Sequence, residues 1–283
     1  STLNKKMLNT SKYKFSSSEV DFSLPSIMGI VNVTPDSFSD GGKYFSTKTA
    51  VDHALKLIDQ GATFIDIGGE STRPGSEPVS VQDEIKRTIP VIKELKKIRK
   101  EIIISIDTTK SQVASIALDN GAEIVNDISG FTFDENMLNA IKDYDPTIVI
   151  MHIKGNPKTM QDNPFYEDVI KEIKEYLSNQ IKKAESAGLS KIIIDPGIGF
   201  GKRIIDNFQI IKQLPEFESL GFPIMIGVSR KFFLRKTLEL DINNVEVATV
   251  IMESLAVMKS ARIIRTHNVE YCSQLVKLAN NII

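Results

Sequence analysis

The sequence predicts an α/β fold, closed as a single-domain (β/α)8 TIM barrel. Three observations carry this expectation. Eight short runs rich in Ile and Val recur along the 283-residue chain. They lack clean polar/apolar alternation, so they fit parallel strands covered on both faces. Helical patterns lie between them, and polar residues gather just past each run, at the barrel end whose loops carry function. An open doubly wound sheet is the other arrangement this alternation allows.

Residues 1–24 read as a polar N-terminal segment and 25–283 as the barrel domain. The first run, 27–31, exits at Asn32 into the polar loop "VTPDSFSDGG". The next helical pattern puts Val51, Ala54, Leu55 and Ile58 on one stripe. It stops at Gly61, as later helices stop at Gly121, Gly188 and Gly221, where the chain can take a left-handed turn. The second run, 63–67, holds Asp66 and opens into "GGESTRPGSEPVS", longer than a plain connection needs. There Arg73 offers a planar cation that can grip phosphate through two hydrogen bonds.

The third and fourth runs, 102–106 and 123–126, deliver Asp107 and Asn126, and the fifth, 147–151, delivers His152. A longer helix follows, with Val169, Ile173, Tyr176, Leu177 and Ile181 as its apolar stripe. The sixth run, 191–195, ends at Asp195 and opens "DPGIGFGKR". A P-loop needs Ser or Thr after Gly-Lys, and here Arg203 follows Lys202; a dinucleotide fingerprint would need glycine at 202. The glycines instead leave room for something flat beside Asp195, with Phe200 as a wall. The seventh run, 223–227, leads to Ser229, Arg230 and Lys231. The eighth, 262–265, delivers Arg265 and His267, which point the same way if the segment stays extended.

Composition narrows the function. With 35 basic against 36 acidic residues and a net charge of -1, the chain is not built to coat nucleic acid. No apolar run approaches the roughly 20 residues of a membrane span. The single cysteine, Cys272, excludes an internal disulfide, reads as a core thiol, and suits a reducing cytoplasm.

A strand must end in something polar, and that accounts for some of the strand-exit residues singly. It accounts poorly for a set so rich in carboxylate, carboxamide and guanidinium. Of the three histidines, His53 lies in a helical pattern, and His152 with His267 would lack a third zinc ligand. No serine nucleophile elbow is present. Lys231 suits either a Schiff base or an anion site. Asp107 and Asp195 suit either an acid/base pair or acceptors for a nitrogen-rich ring.

The motifs "MGIVNVTPDSFSDGG", "IDIGGESTRPGS", "SIDTTK", "NDISG", "MHIKGNPKTMQ", "DPGIGFGK", "GVSRK" and "IIRTHNV" occur in this order. Their set resembles the dihydropteroate synthase family, the folate-pathway enzymes targeted by sulfonamides. The resemblance implies a magnesium-dependent homodimer. It joins p-aminobenzoate to 6-hydroxymethyl-7,8-dihydropterin diphosphate by a carbocation-like substitution, releasing diphosphate. It implies catalytic roles for Arg73, Lys231 and Arg265. It implies a pterin and diphosphate site from Thr72, Asp107, Asn126, Asp195, Lys231, Arg265 and His267, and a p-aminobenzoate pocket from Phe38, Pro74, Gly75 and Phe200. Asn32 would hold Mg2+. The chain departs from the family at Phe232, where many members carry a small hydroxyl residue. It departs again around Val245 and Ala248, where they often carry an arginine and a glycine. A folate-dependent methyltransferase domain and a non-catalytic pterin-binding protein are the competing readings. The retained "TPDSFSDGG" and "STRPGS" weigh against both.

Overall fold

The computed structural model describes residues 11–34 and 43–283. Eight parallel strands close into a barrel: β3 (Ser26–Asn32), β4 (Phe64–Gly68), β5 (Ile103–Asp107), β6 (Ile124–Asp127), β7 (Thr147–Met151), β8 (Ile192–Asp195), β9 (Ile224–Ile226) and β10 (Ala261–Thr266). Each pairs with its sequence neighbour, and β10 closes the ring against β3, with Ile264 beside Ile27. The eight expected runs are these strands, so the closed barrel holds and the open sheet does not.

Helices cover the outside: α1 (Lys43–Asp59), α2 (Val81–Ile98), α3 (Ser111–Asp119), α4 (Met137–Ile141), α5 (Val169–Ser186), α6 (Ile204–Lys212), α7 (Phe232–Leu238), α8 (Glu246–Met258) and α9 (Val269–Ala279). The stripe expected on α5 is mostly buried, with Gln180 buried beside it. On α1 the buried face is Val51, Ala54 and Leu57, while Leu55 and Ile58 are only half-buried. The stripe is therefore rotated from its sequence reading, because Leu57 packs under β3. A Cβ on Gly29 of that strand would come within 2.9 Å of it.

The strand pleat sorts every second residue inward. Met28, Phe64, Ile103, Ile124, Val149, Ile193, Met225 and Ile263, one from each strand, form a single apolar layer inside the barrel. Below it sits a two-stranded hairpin, β1 (Lys12–Lys14) and β2 (Glu19–Asp21), with Lys12 opposite Asp21. The sequence reading set residues 1–24 apart as polar, yet Tyr13, Val20 and Phe22 from this stretch join the inner layer. Phe22 stacks on Phe64 at 6.1 Å, and the Tyr13 hydroxyl donates to the Ile192 carbonyl. Burying each such side chain contributes roughly 1.5–3 kcal/mol. The hairpin is thus fixed more by its three buried residues than by its short ladder. Polar flanking residues hid them from a composition-based reading.

Candidate active site

The pleat that builds the apolar layer also places the chemistry. Two residues beyond Phe64, Ile124, Ile193 and Ile263 stand Asp66, Asn126, Asp195 and Arg265, on the same inward face. Two further on from Ser105 and Arg265 stand Asp107 and His267. Polar groups therefore occupy the C-terminal mouth of the barrel, and apolar ones its floor.

Asp66 is the node of this layer. Arg265 Nε donates to its Oδ2 at 2.7 Å and Asn126 Nδ2 donates to the same oxygen at 3.0 Å. Arg265 also reaches Asp107 Oδ2 at 3.2 Å. Burial disfavours charge on the guanidinium, but Asp66 and Asp107 more than offset this and hold its pKa above the usual value. Burial, then the neighbouring Asp66 charge, push the Asp107 carboxyl up, while Arg265 pulls it back. Asp107 thus takes up a proton more readily than an isolated aspartate. The Oδ1 atoms of Asp66 and Asn126 are buried without a partner. These are open acceptors in a layer where unpaired polar atoms are costly. The sequence reading placed Asp66 at a strand exit but gave it no role. Its signal was its inward register, two places past Phe64.

Asp195 ends β8 and accepts from the Gly197 amide at 2.8 Å. Burial raises its carboxyl to about 6, against the pull of that hydrogen bond and of Lys231. The following glycines are required by space. Gly197 has φ 77, and a Cβ there would stand 1.9 Å from the His152 carbonyl oxygen; at Gly201 the gap to the Lys154 carbonyl oxygen would be 2.2 Å. This tight loop folds over Lys202, which is almost wholly buried. Its ammonium donates to the Gly197 and Phe200 carbonyls at 2.9 Å and meets His152 Nδ1 at the same distance. The loop so held presents the Phe200 ring to Lys231, whose Nζ lies 4.2 Å from the ring centroid. Burial lowers the Lys231 ammonium to about 8.

On the last strand, His267 is held by Ser229. Ser229 Oγ lies 2.8 Å from His267 Nδ1 and accepts from the His267 amide at 3.1 Å. Burial and then the nearby cations, Arg230 first, lower this imidazole to about 3, so it is neutral. Arg230 itself is taken up by Glu246 at 2.6 Å. The loop 68–80 is anchored from both sides. Lys110 bonds Glu70 at 3.0 Å and the fully buried Glu84 at 2.7 Å, and Gly75 donates to the Pro157 carbonyl at 3.0 Å.

One cavity of about 1360 Å³ opens at this end of the barrel. Asn32, Thr72, Arg73, Pro74, Asp107 and Asn126 line it, as do Asp195, Phe200, Lys231, Arg265 and His267. Gly75 is not in its wall; it is exposed and bonded to the loop after β7. Phe38 lies outside the described residues. Phe232 is in the wall, more than half exposed, while Val245 and Ala248 are buried in helix packing. Among the described residues no three His, Cys, Asp or Glu stand together as a metal site. The arrangement offers acceptors and donors for a flat, nitrogen-rich ring at its floor and cations at its mouth.

A family model described as pterin binding enzyme matches residues 28–267. The dihydropteroate synthase of Synechocystis sp. is 45% identical over 257 residues, covering 90% of this chain and 89% of that protein. A solved structure of Xanthomonas albilineans dihydropteroate synthase with 4-aminobenzoic acid superposes with a TM-score of 0.90 at 36% identity, over 96% of this chain and 98% of that one. Another, in complex with 7,8-dihydropteroate, gives a TM-score of 0.86 at 34% identity, again over 96% and 98%. Residue pattern, closed barrel and polar mouth thus agree with these relatives, and the chain belongs to the dihydropteroate synthase family of pterin binding enzymes.

Proposed function

We propose that this transferase of folate synthesis takes 6-hydroxymethyl-7,8-dihydropterin diphosphate and p-aminobenzoate in the one cavity and releases 7,8-dihydropteroate and diphosphate. The observation that carries this is the convergence of Asp107, Asn126, Asp195, Lys231 and Arg265 on that cavity, with Asp66 beneath them holding Asn126 and Arg265, and Thr72, Arg73 and His267 at its mouth. A pterin edge carries adjacent N–H groups that a carboxylate can accept, so Asp195 meets N3–H and the 2-amino group. Asn126 and Asp107 take the remaining ring nitrogens, and Lys231 donates to the carbonyl. The sequence reading expected Arg265 to lie flat against the ring. Its Nε and one terminal nitrogen are already committed to Asp66 and Asp107, which hold the side chain where its face can serve that purpose.

The bond between the exocyclic methylene carbon and the diphosphate oxygen breaks, and its electron pair leaves with diphosphate. A bond to the arylamine nitrogen forms, and that nitrogen then loses a proton. The arylamine is already a nucleophile, so no covalent protein intermediate is needed. In the tautomer in which Nδ1 of His267 accepts from the Ser229 hydroxyl 2.8 Å away, Nε2–H is a donor toward the diphosphate. Arg73, without a hydrogen-bonded partner for its guanidinium among the described residues, meets the same group. Of the residues expected around the arylamine, Phe200 and Pro74 line the cavity and border it.

Mg2+ fits the donor set. Asn32 ends β3 in the cavity wall and offers one hard carboxamide oxygen. A strongly hydrated magnesium ion takes one or two protein oxygens beside phosphate oxygens and water. Bound there, it would neutralise charge gathering on the leaving diphosphate.

Residues 25–283 make the catalytic domain and the chain works as a homodimer. Val247, Ile251, Leu255 and Met258 form an exposed apolar stripe along α8, the kind of surface that a second copy covers. A lone buried thiol, Cys272, fits the cytoplasm. Neither nucleic acid nor membrane is a partner. Among the described residues no helix is long and apolar enough to cross a bilayer.

The test is to mix dihydropterin diphosphate, p-aminobenzoate and Mg2+ and follow diphosphate release and dihydropteroate. Arg73→Ala should slow turnover about 10- to 100-fold with a smaller loss of pterin binding, as expected for one charged hydrogen bond to a leaving group. Equal turnover in the variant would remove Arg73 from that step.

A further inference from the structure

We propose that Arg235 is the specificity-determining cation of this chain's arylamine pocket, binding the carboxylate of the incoming p-aminobenzoate with Phe232 as its backing. The inference rests on the proposed substrates and assigns a residue within their site.

Five arginines line the cavity, and three are already committed. Arg265 holds Asp66 and Asp107, Arg230 holds Glu246, and Arg203 holds Asp206 through two nitrogens at 2.8 Å. Among the described residues the guanidinium groups of Arg73 and Arg235 alone in this set have neither a hydrogen bond nor an ion pair. Arg73 is placed on the loop that meets the diphosphate. Arg235 lies on α7, one helical turn after Phe232, and its guanidinium carbon sits 5.7 Å from the centroid of that ring. Among the described residues its Nε is buried without a partner, a charged donor withdrawn from water.

The chemistry of the substrate supplies the acceptor. The amine must face the pterin methylene carbon, so the carboxylate of a para-substituted ring points away from Asp195. From Lys231, whose ammonium lies over Phe200, the chain runs directly into α7, which carries Phe232 and Arg235 on one face. A carboxylate at that outer end would meet a planar cation that lies over an aromatic ring and is uncommitted among the described residues. A guanidinium is the side chain best suited to grip a carboxylate edge-on. Phe232 serves as the platform that orients Arg235.

Steady-state kinetics with 4-aminobenzoate and with the neutral 4-aminobenzamide test this. Arg235→Met should raise KM for 4-aminobenzoate about 10- to 100-fold, as for loss of a charged hydrogen-bond partner. Its KM for the amide should move less than about threefold, so the preference for the acid collapses. Arg235→Lys should recover part of that preference, and it stands in if the Met variant does not fold. Equal KM changes for acid and amide, or an acid KM unchanged in both variants, would overturn the assignment. Parent protein that binds the pterin diphosphate yet makes no product with either arylamine would instead overturn the proposed reaction, and this assignment with it.

Discussion

Asp195 and Lys231 bring opposite titrations to one cavity. In the proposed pterin site Asp195 must be ionised to accept from the ring. Burial raises it to about 6, so its contribution is present above that value and is lost as pH falls through it. Lys231 must be protonated to donate, and burial lowers it to about 8, so its contribution is lost as pH rises past that point. The pH profile of kcat/KM for the pterin substrate should therefore be a bell with limbs near these values. Asp195→Asn should flatten the acid limb and weaken pterin binding by about 1–3 kcal/mol, read by titration calorimetry. A profile flat from pH 5 to 9 would remove both groups from recognition. Asp66 differs in kind. It touches Arg265 and Asn126 rather than solvent, so it positions the two side chains proposed to meet the ring.

At the scale of elements, the loops take their shape from buried charges. Glu70 belongs to the loop after β4, Glu84 to α2 and Lys110 to the turn after β5, so the bonds of Lys110 to both acids link two consecutive strand–helix units. Helix α8 has a different buried acid. Glu253 faces Thr266 and Cys272, its Oε2 lacks a partner, and burial raises it to about 8. The unfolded carboxyl titrates near 4.5, so between these values the folded chain binds the extra proton and loses stability as pH rises. Glu253→Gln should remove that slope. Calorimetric melting between pH 6 and 9 should fall less in the variant than in the parent, a difference on the order of 2 kcal/mol at the alkaline end. Parallel curves would mean that Glu253 stays ionised.

For the whole molecule, the barrel separates stability from chemistry along its axis. The hairpin and the inner apolar layer close the floor, and the polar residues stand two places further along the same strands. The α8 stripe lies outside both. Ile251 is 53% exposed at its centre, so a charge there should leave the barrel folded and break only the contact between copies. Ile251→Glu should halve the mass seen by sedimentation equilibrium while the melting of the single chain changes by less than about 1 kcal/mol. A parent protein that already sediments as one chain would sink the dimer proposal.

Much of this was legible in order along the chain. Repeated Ile/Val runs, glycine stops at Gly61, Gly121, Gly188 and Gly221, and period-two placement fixed the strands, the barrel and the rim on which Asp107, Asn126, Asp195 and Arg265 would stand. Those are local signals, because a strand's pleat and a helix's end depend on neighbours in sequence. What the sequence could not decide is which rim residues touch. Arg265 and Asp66 are 199 residues apart and meet only because β10 closes on β3 and brings their inward faces together. The same holds for Tyr13 under Ile192, Lys202 against His152, and the uncommitted guanidinium of Arg235. Each depends on closure and side-chain packing, which set distances across the barrel that no local pattern encodes.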